Sequence, residues 1–239
     1  MVNGTNIDKA PTPAYIATMG AKDQKTPDCT GILIAPRYIL TNALCTLMRP
    51  QWATINSKYS RGGDGEQIAI LSHVVHPKFD RWTLTYDIAV YLLERASINK
   101  PATLTFDTYD TATPVVFRGF GLLDYNAGFV DVLQEAKGIV AVNSDCNRVF
   151  RLDVYLSYRF LDDMMCVVGL TTCSGDGGPL TVVKKDGQEA VVALASWSSY
   201  RCKNQFGGFT RLSASQDFIK FFLPGGDVCT GPVERPSLH

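Results

Sequence analysis

Short apolar segments separated by turn-forming residues recur along most of the chain. They are rich in Val, Ile, Leu and aromatic residues, and Pro, Gly and Asp separate them. The segments are Ile32–Ile34, Tyr38–Leu40, Gln67–Leu71, Asp87–Leu93, Val115–Phe117, Gly138–Val142, Leu180–Val183 and Ala190–Leu194. Regularly spaced short strands with few helical patterns are typical of a sandwich or barrel. The pattern therefore predicts an all-β fold.

One helix is predicted, close to the C-terminus. Ser213 or Ser215 can cap it, Phe218, Ile219 and Phe222 form an apolar stripe, and Pro224-Gly225-Gly226 ends it. Residues 223–239 contain three prolines and little apolar content, so we expect a flexible tail there.

Chain length limits the number of domains, and charge limits the classes of partner. The 239 residues suffice for one large domain or two closely joined halves. Because 23 basic residues balance 23 acidic ones, neither nucleic acid nor an anionic membrane is expected as a partner. No apolar run approaches the roughly 20 residues of a membrane-spanning helix. The chain begins Met1-Val2-Asn3-Gly4, without the pattern of a signal peptide, as either a mature secreted domain or a truncated gene product would.

The seven cysteines favour disulfides over a metal site. None form C-x₂-C pairs and only three histidines are present, so we expect neither a zinc site nor a cofactor. A disulfide framework indicates an oxidising, extracellular compartment. Asn3-Gly4-Thr5 is a candidate glycosylation sequon that agrees with secretion.

Motifs along nearly the whole chain resemble those of trypsin/chymotrypsin-type serine proteases. Cys173–Leu180, C-S-G-D-G-G-P-L, is similar to the nucleophile loop C-x-G-D-S-G-G-P but lacks its serine. The other motifs, each with its family pattern, are Met1–Gly4 (I-V-G-G), Cys29–Ile34 (C-G-G-S-L-I), Leu40–Cys45 (L-T-A-A-H-C), Val75–Phe79 (I-H-P-x-Y), Asp87–Val90 (D-I-A-L), Arg118–Gly121 (G-W-G), Ala195–Trp197 (S-W-G) and Gly208–Leu212 (G-V-Y-T-R-V).

This resemblance implies a double six-stranded antiparallel β-barrel with a C-terminal helix. The homologous domain would cover residues 1–222, with a first barrel at about 14–112, a second at about 113–212 and the helix at about 213–222. It also implies three disulfides, which are Cys29–Cys45, Cys146–Cys166 and Cys173–Cys202. Cys229 lies beyond the resemblance and is left free or paired with another molecule.

The resemblance also locates what a protease would need and this chain lacks. Acyl transfer on this fold uses a serine nucleophile, a histidine base and a buried aspartate. The corresponding positions hold Gly177, Leu44 and Asp87, so only the aspartate is retained. Gly175 and Asp176 remain from the oxyanion loop, and Thr171 replaces an acid at the base of the specificity pocket. We therefore expect no proteolysis and no catalytic residues.

Asp87 without an imidazole beside it would be a buried carboxylate. Its pKa should rise, unless hydroxyls such as those of Thr41 or Ser196 satisfy it. His73 and His76 precede it and are expected on the outer surface of the first barrel. Six aromatic residues are candidates for a binding face at the cleft rim, with packing in the core as the alternative. They are Trp82, Tyr86, Tyr125, Phe129, Tyr200 and Phe206.

Three functions follow as hypotheses. The segments Asp64–Ile68 and Leu194–Trp197 and the degenerate histidine loop are similar to those of secreted oomycete protease homologues, including the glucanase inhibitor proteins. That resemblance implies a secreted binding or inhibitor protein whose partner is a host extracellular hydrolase, such as an endoglucanase. The alternatives are a divergent serine endopeptidase with an unrecognised nucleophile, and a disulfide-linked adhesive or structural module that uses Cys229.

Overall fold

The computed structural model contains two closed antiparallel β-barrels, which confirms the predicted fold class. The structure describes residues 4–7, 13–22, 27–121, 130–150, 159–172, 177–197 and 205–225. Within these ranges, every helix is too short or too polar to cross a membrane.

The first barrel contains six strands in the order β2-β3-β4-β7-β6-β5. They are β2 (Ile16–Gly20), β3 (Cys29–Ala35), β4 (Tyr38–Thr41), β5 (Trp52–Ile55), β6 (Glu66–Val75) and β7 (Ala89–Leu93). The 3₁₀ turn Ala43–Met48 follows β4 and carries the degenerate histidine loop.

The second barrel closes through the pairing of β8 with β9, in the order β8-β9-β10-β13-β12-β11. Its strands are β8 (Pro114–Gly119), β9 (Gln134–Ala141), β10 (Met164–Val168), β11 (Pro179–Val183), β12 (Glu189–Trp197) and β13 (Phe206–Arg211). The short strand β1 (Thr5–Asn6) adds to the outside of β9.

Burial on both faces explains why strand β3 has a continuous apolar run. Alternate residues of a strand point to opposite faces. Leu33 packs in the interior of the first barrel, whereas Ile32 and Ile34 belong to a second apolar cluster. That cluster includes Val191 and Leu194 of the second barrel, so the outward face of β3 is covered by the neighbouring barrel.

The C-terminal helix is confirmed but is shorter than predicted. The 3₁₀ turn Ser213–Ser215 leads into α2 (Gln216–Lys220), and the Ser215 side chain makes no capping hydrogen bond. Ile219 is fully buried, and Phe218 and Phe222 pack against the same cluster. The stripe predicted from the sequence therefore holds the helix against the barrels.

A second helix, α1 (Asn143–Phe150), was missed because its sequence N-S-D-C-N-R-V-F is poor in strong helix formers. Tertiary contacts support it instead. The Asn143 amide donates to the carbonyl oxygens of Leu161 (2.9 Å) and Met164 (3.0 Å). A disulfide joins Cys146 to Cys166 on β10.

Two of the three disulfides implied by the resemblance are present, Cys29–Cys45 and Cys146–Cys166. Cys173, Cys202 and Cys229 lie outside the described residues, as does Asn3 of the sequon.

Candidate functional site

A cavity of about 150 Å³ lies between the two barrels and brings together Leu44, Asp87 and Gly177. The first barrel and its loops line it with Asp28, Cys29, Thr30, Thr41, Asn42, Leu44, Cys45, Met48 and Asp87. The second barrel contributes Thr172, Gly177, Ala195, Ser196 and Trp197. Residues far apart in the chain therefore meet where the sequence placed the remnants of a triad.

The carboxylate of Asp87 is completely buried and accepts three hydrogen bonds. Ser196 Oγ donates to Oδ2 at 2.6 Å, Asn42 Nδ2 donates to Oδ2 at 3.1 Å, and the backbone N–H of Leu44 donates to Oδ1 at 3.0 Å. Thr41 donates instead to the carbonyl oxygen of Thr30. Of the two hydroxyls expected to satisfy Asp87, only Ser196 does so.

Burial still raises the pKa of Asp87, although the hydrogen bonds from Ser196, Leu44 and Asn42 oppose that shift. A carboxylate removed from water loses more solvation than these neutral donors return. The carboxylate of Asp87 is therefore hydrogen-bonded, but keeping it charged in this buried position costs free energy.

Asn42 is a functional neighbour of Asp87 that sequence reasoning missed. Its amide donates both to the side chain of Asp87 and to its backbone carbonyl oxygen (3.3 Å). In the protease pattern L-T-A-A-H-C, an alanine occupies this position, whereas this chain has L-T-N-A-L-C. The polar residue inside an otherwise apolar motif was the available signal. Asn42 supplies a side-chain donor to Asp87 in a loop that has leucine in place of histidine.

The Leu44 side chain has apolar neighbours. Its side chain packs against a buried cluster that spans both barrels and includes Leu84, Phe160 and Trp197. The same 3₁₀ turn exposes Leu47 (58%) and Met48 (60%) to solvent. The turn therefore presents apolar side chains beside the cavity.

Gly177 lies against the first barrel in a backbone conformation that favours glycine. Its φ is +41°, and a Cβ at this position would lie 3.2 Å from the Thr30 carbonyl oxygen and 3.3 Å from its nitrogen. A side chain introduced here would be strained and would meet the backbone of β3.

Comparison with known proteins identifies the family. The trypsin family model matches residues 1–219. This chain belongs to the trypsin family. It is 30% identical to glucanase inhibitor protein 3 of Phytophthora infestans over 212 residues, which cover 82% of this chain and 78% of the relative. It is 31% identical to glucanase inhibitor protein 4 of the same organism, with coverage of 83% and 80%.

A solved structure supports the trypsin-family fold independently. The structure of neuropsin, a serine protease expressed in mouse brain, matches with a TM-score of 0.79 and 20% sequence identity. The match covers 92% of this chain and 98% of neuropsin. At that identity the likeness concerns the fold.

Other residues assigned through the trypsin-family resemblance are only partly described. Thr171 is buried (3% exposed), next to the cavity-lining Thr172. Gly175 and Asp176 lie outside the described residues, together with Tyr125, Phe129 and Tyr200.

The prediction that both histidines lie on the surface is wrong for His76. His73 is exposed, but His76 is 7% exposed and stacks on Tyr86 with 4.7 Å between ring centroids. Its Nδ1 accepts the backbone N–H of Lys78, and burial together with the charge of Lys78 lowers its pKa. The cause of its burial is long-range, because Phe218 of the C-terminal helix packs against its ring.

The described rim aromatics divide between core and surface. Phe206 packs against the buried cluster around Trp197, and Tyr86 lies against His76. Trp82 alone among these three is strongly exposed, at 71%.

Proposed function

We propose that this trypsin-family chain does not hydrolyse peptide bonds and acts as a secreted protein that binds and inhibits an endoglucanase. The observation that carries the proposal is the state of Asp87. Its carboxylate accepts a backbone N–H from Leu44, at the position that the resemblance assigns to the catalytic histidine. A leucine side chain can neither accept a proton from a hydroxyl nor donate one to a leaving amine.

Three further points support the proposal. The relatives that match over four-fifths of the chain are named glucanase inhibitor proteins. A rigid double barrel can present loops to a partner without any catalytic group. The disulfides Cys29–Cys45 and Cys146–Cys166 favour an extracellular location.

A divergent endopeptidase is the second candidate, because Ser196 Oγ lies 2.6 Å from the buried Asp87. Ser196 is the only serine among the described residues that line the cavity. However, Asp87 already accepts donors from Asn42 and Leu44, and no imidazole adjoins the hydroxyl in the described part of the site. The arrangement suits a structural hydrogen bond better than an activated nucleophile.

One experiment separates these two candidates. Purified protein is incubated with casein, with a broad peptide library and with a serine-reactive fluorophosphonate, alongside Ser196→Ala and a heat-denatured sample. We expect hydrolysis and labelling at background in all samples, since the loss of two triad members costs several orders of magnitude in rate. Heat-sensitive labelling that disappears in Ser196→Ala would establish the endopeptidase instead.

A second measurement addresses inhibition. Secreted plant endo-β-glucanases are assayed for release of reducing sugar from β-glucan, with and without micromolar protein. We expect at least one enzyme to lose more than about half of its activity, as for a complex with a Kd of about 1 μM or below. Unchanged activity across the panel would contradict the inhibitor function.

A further inference from the structure

Trp82 is the most exposed aromatic residue in the described part of the chain. It lies in the segment Asp80–Tyr86, here called the Trp82 loop, which connects β6 to β7. At 71% exposure it exceeds Tyr59 (45%) and Phe221 (44%). It does not line the cavity, but Leu84 of the same loop packs in the cluster that contacts Leu44. The loop therefore flanks the candidate site.

The loop is held rigidly around its exposed tip. Asp80 Oδ1 accepts the backbone N–H groups of Trp82 (2.7 Å) and Thr83 (3.1 Å). The Asp80 N–H donates to the carbonyl oxygen of Thr85 at 3.2 Å. These bonds from Trp82 and Thr83 lower the pKa of Asp80, so its carboxylate stays ionised and committed to the loop.

The base of the loop is anchored to the second barrel. Leu84 is 8% exposed and packs with Phe160 and Trp197, and the Tyr86 N–H donates to Asp163 Oδ2 at 2.6 Å. Leu84 and Tyr86 have φ values of +55° and +50°, which are unfavourable for residues other than glycine. Such conformations persist only where the surrounding structure enforces them. The loop conformation that exposes Trp82 therefore costs free energy in the folded protein.

The charges beside Trp82 indicate the chemistry of its partner. The Arg81 guanidinium lies over the indole, with its carbon 4.7 Å from the ring centroid. Lys78 Nζ lies 5.3 Å from the ring of Tyr86. The ionised carboxylate of Asp80 adds one negative charge beside these two cations. The surface therefore combines a flat apolar ring with two cations and one carboxylate, which leaves a net positive charge.

We propose that the Trp82 loop is the anchor by which this chain binds its protein partner, and that it fits an apolar pocket bordered by carboxylates. The inference rests on the proposed function, since glycoside hydrolases carry paired carboxyl groups in their substrate cleft. Tryptophan, tyrosine and arginine are the residues enriched among interface hot spots. A rigid loop also avoids the entropy cost of ordering its anchor on binding.

The test compares Trp82→Ala and Arg81→Glu with the matched pair Tyr59→Ala and Lys58→Glu. Tyr59 is also an exposed aromatic residue with a cation over its ring, at 5.8 Å from Lys58 Nζ, but it lies between β5 and β6, in a segment that adds no residue to the cluster around Leu44. Affinity is measured by surface plasmon resonance against an endo-β-glucanase that the wild-type protein inhibits. Circular dichroism confirms that each variant is folded.

We expect Trp82→Ala to raise Kd by about 30-fold or more, as for a hot-spot residue. Arg81→Glu should raise it by about 10-fold, mainly through slower association that depends on salt. The two control variants should change Kd by less than about 3-fold. Equal affinities for wild type and folded Trp82→Ala would overturn this inference and leave the inhibitor function standing. If the wild-type protein binds none of the enzymes, both proposals fail.

Discussion

Replacing Gly178 by alanine should abolish stable folding of this chain. A Cβ at this position would lie 1.9 Å from the carbonyl oxygen of Arg118 and 3.2 Å from the Cα of Gly119. Both atoms belong to the backbone of β8, so no rotation of a side chain relieves the overlap. The Gly178 carbonyl oxygen also accepts the N–H of Ala195 at 3.0 Å, which ties the segment to β12. We expect a loss of at least about 4 kcal/mol.

The measurement is urea unfolding followed by circular dichroism, with Gly63→Ala as the matched control. A Cβ on Gly63 would meet no atom within 4 Å, so the same substitution there should shift stability by less than about 1 kcal/mol. Comparable unfolding midpoints for the two variants would show that β8 and the segment at Gly178 can separate without penalty.

Replacing Asp87 by alanine should destabilise the protein by about 3 kcal/mol, whereas asparagine should cost less than about 1 kcal/mol. Alanine removes the acceptor of Ser196 Oγ, Asn42 Nδ2 and the Leu44 N–H together. The introduced asparagine keeps one oxygen to accept the Leu44 N–H, and its NH₂ group can donate to the Ser196 hydroxyl. The side-chain amide of Asn42 can rotate so that its oxygen accepts the other N–H of that group. Urea unfolding at neutral pH measures both changes.

The dependence of stability on pH distinguishes the charge from the hydrogen bonds. Because burial raises the pKa of Asp87 above its ordinary value of 3.8, the folded protein holds this proton at pH values where the unfolded chain has lost it. The free energy of unfolding attributable to Asp87 should therefore fall as pH rises from about 4 through the folded pKa.

Asp87→Asn lacks this titration and serves as the reference curve. The difference in unfolding free energy, wild type minus Asp87→Asn, should decrease with pH across that window and then level off. A difference that increases with pH would mean that the site favours the charged form of Asp87. Asn42→Ala, which removes one donor to the carboxylate, should raise the folded pKa further and extend the decrease to higher pH.

Much of the fold was predictable because local signals coincide with the tertiary environment. The apolar run Ile32–Ile34 forms part of β3 and is buried on both faces. The helix α1 was not predictable from its composition, since its support comes from the Cys146–Cys166 disulfide and from carbonyl groups of another segment. Elements stabilised by remote contacts leave a weak local pattern.

The candidate site likewise contains features that the sequence predicted and features that only the structure revealed. The leucine at position 44 and the glycine at position 177 could be recognised from the sequence motifs, because recognising them requires only the identity of each residue. Of the side chains that donate to Asp87, Ser196 was expected from the sequence and Asn42 was not, although they approach it across 109 and 45 residues of chain. The burial of His76 under Phe218 is likewise a contact between the first barrel and the C-terminal helix.

The sequence by itself determined the strand-rich architecture and the absence of an imidazole at Leu44 and of a hydroxyl at Gly177. Only the tertiary structure decided that Asp87 stays buried among three donors with a raised pKa, and that Trp82 points into solvent from a strained and anchored loop. The physical reason is that side-chain chemistry belongs to each residue alone. Burial, hydrogen bonding and exposure depend on distances between residues that the fold brings together.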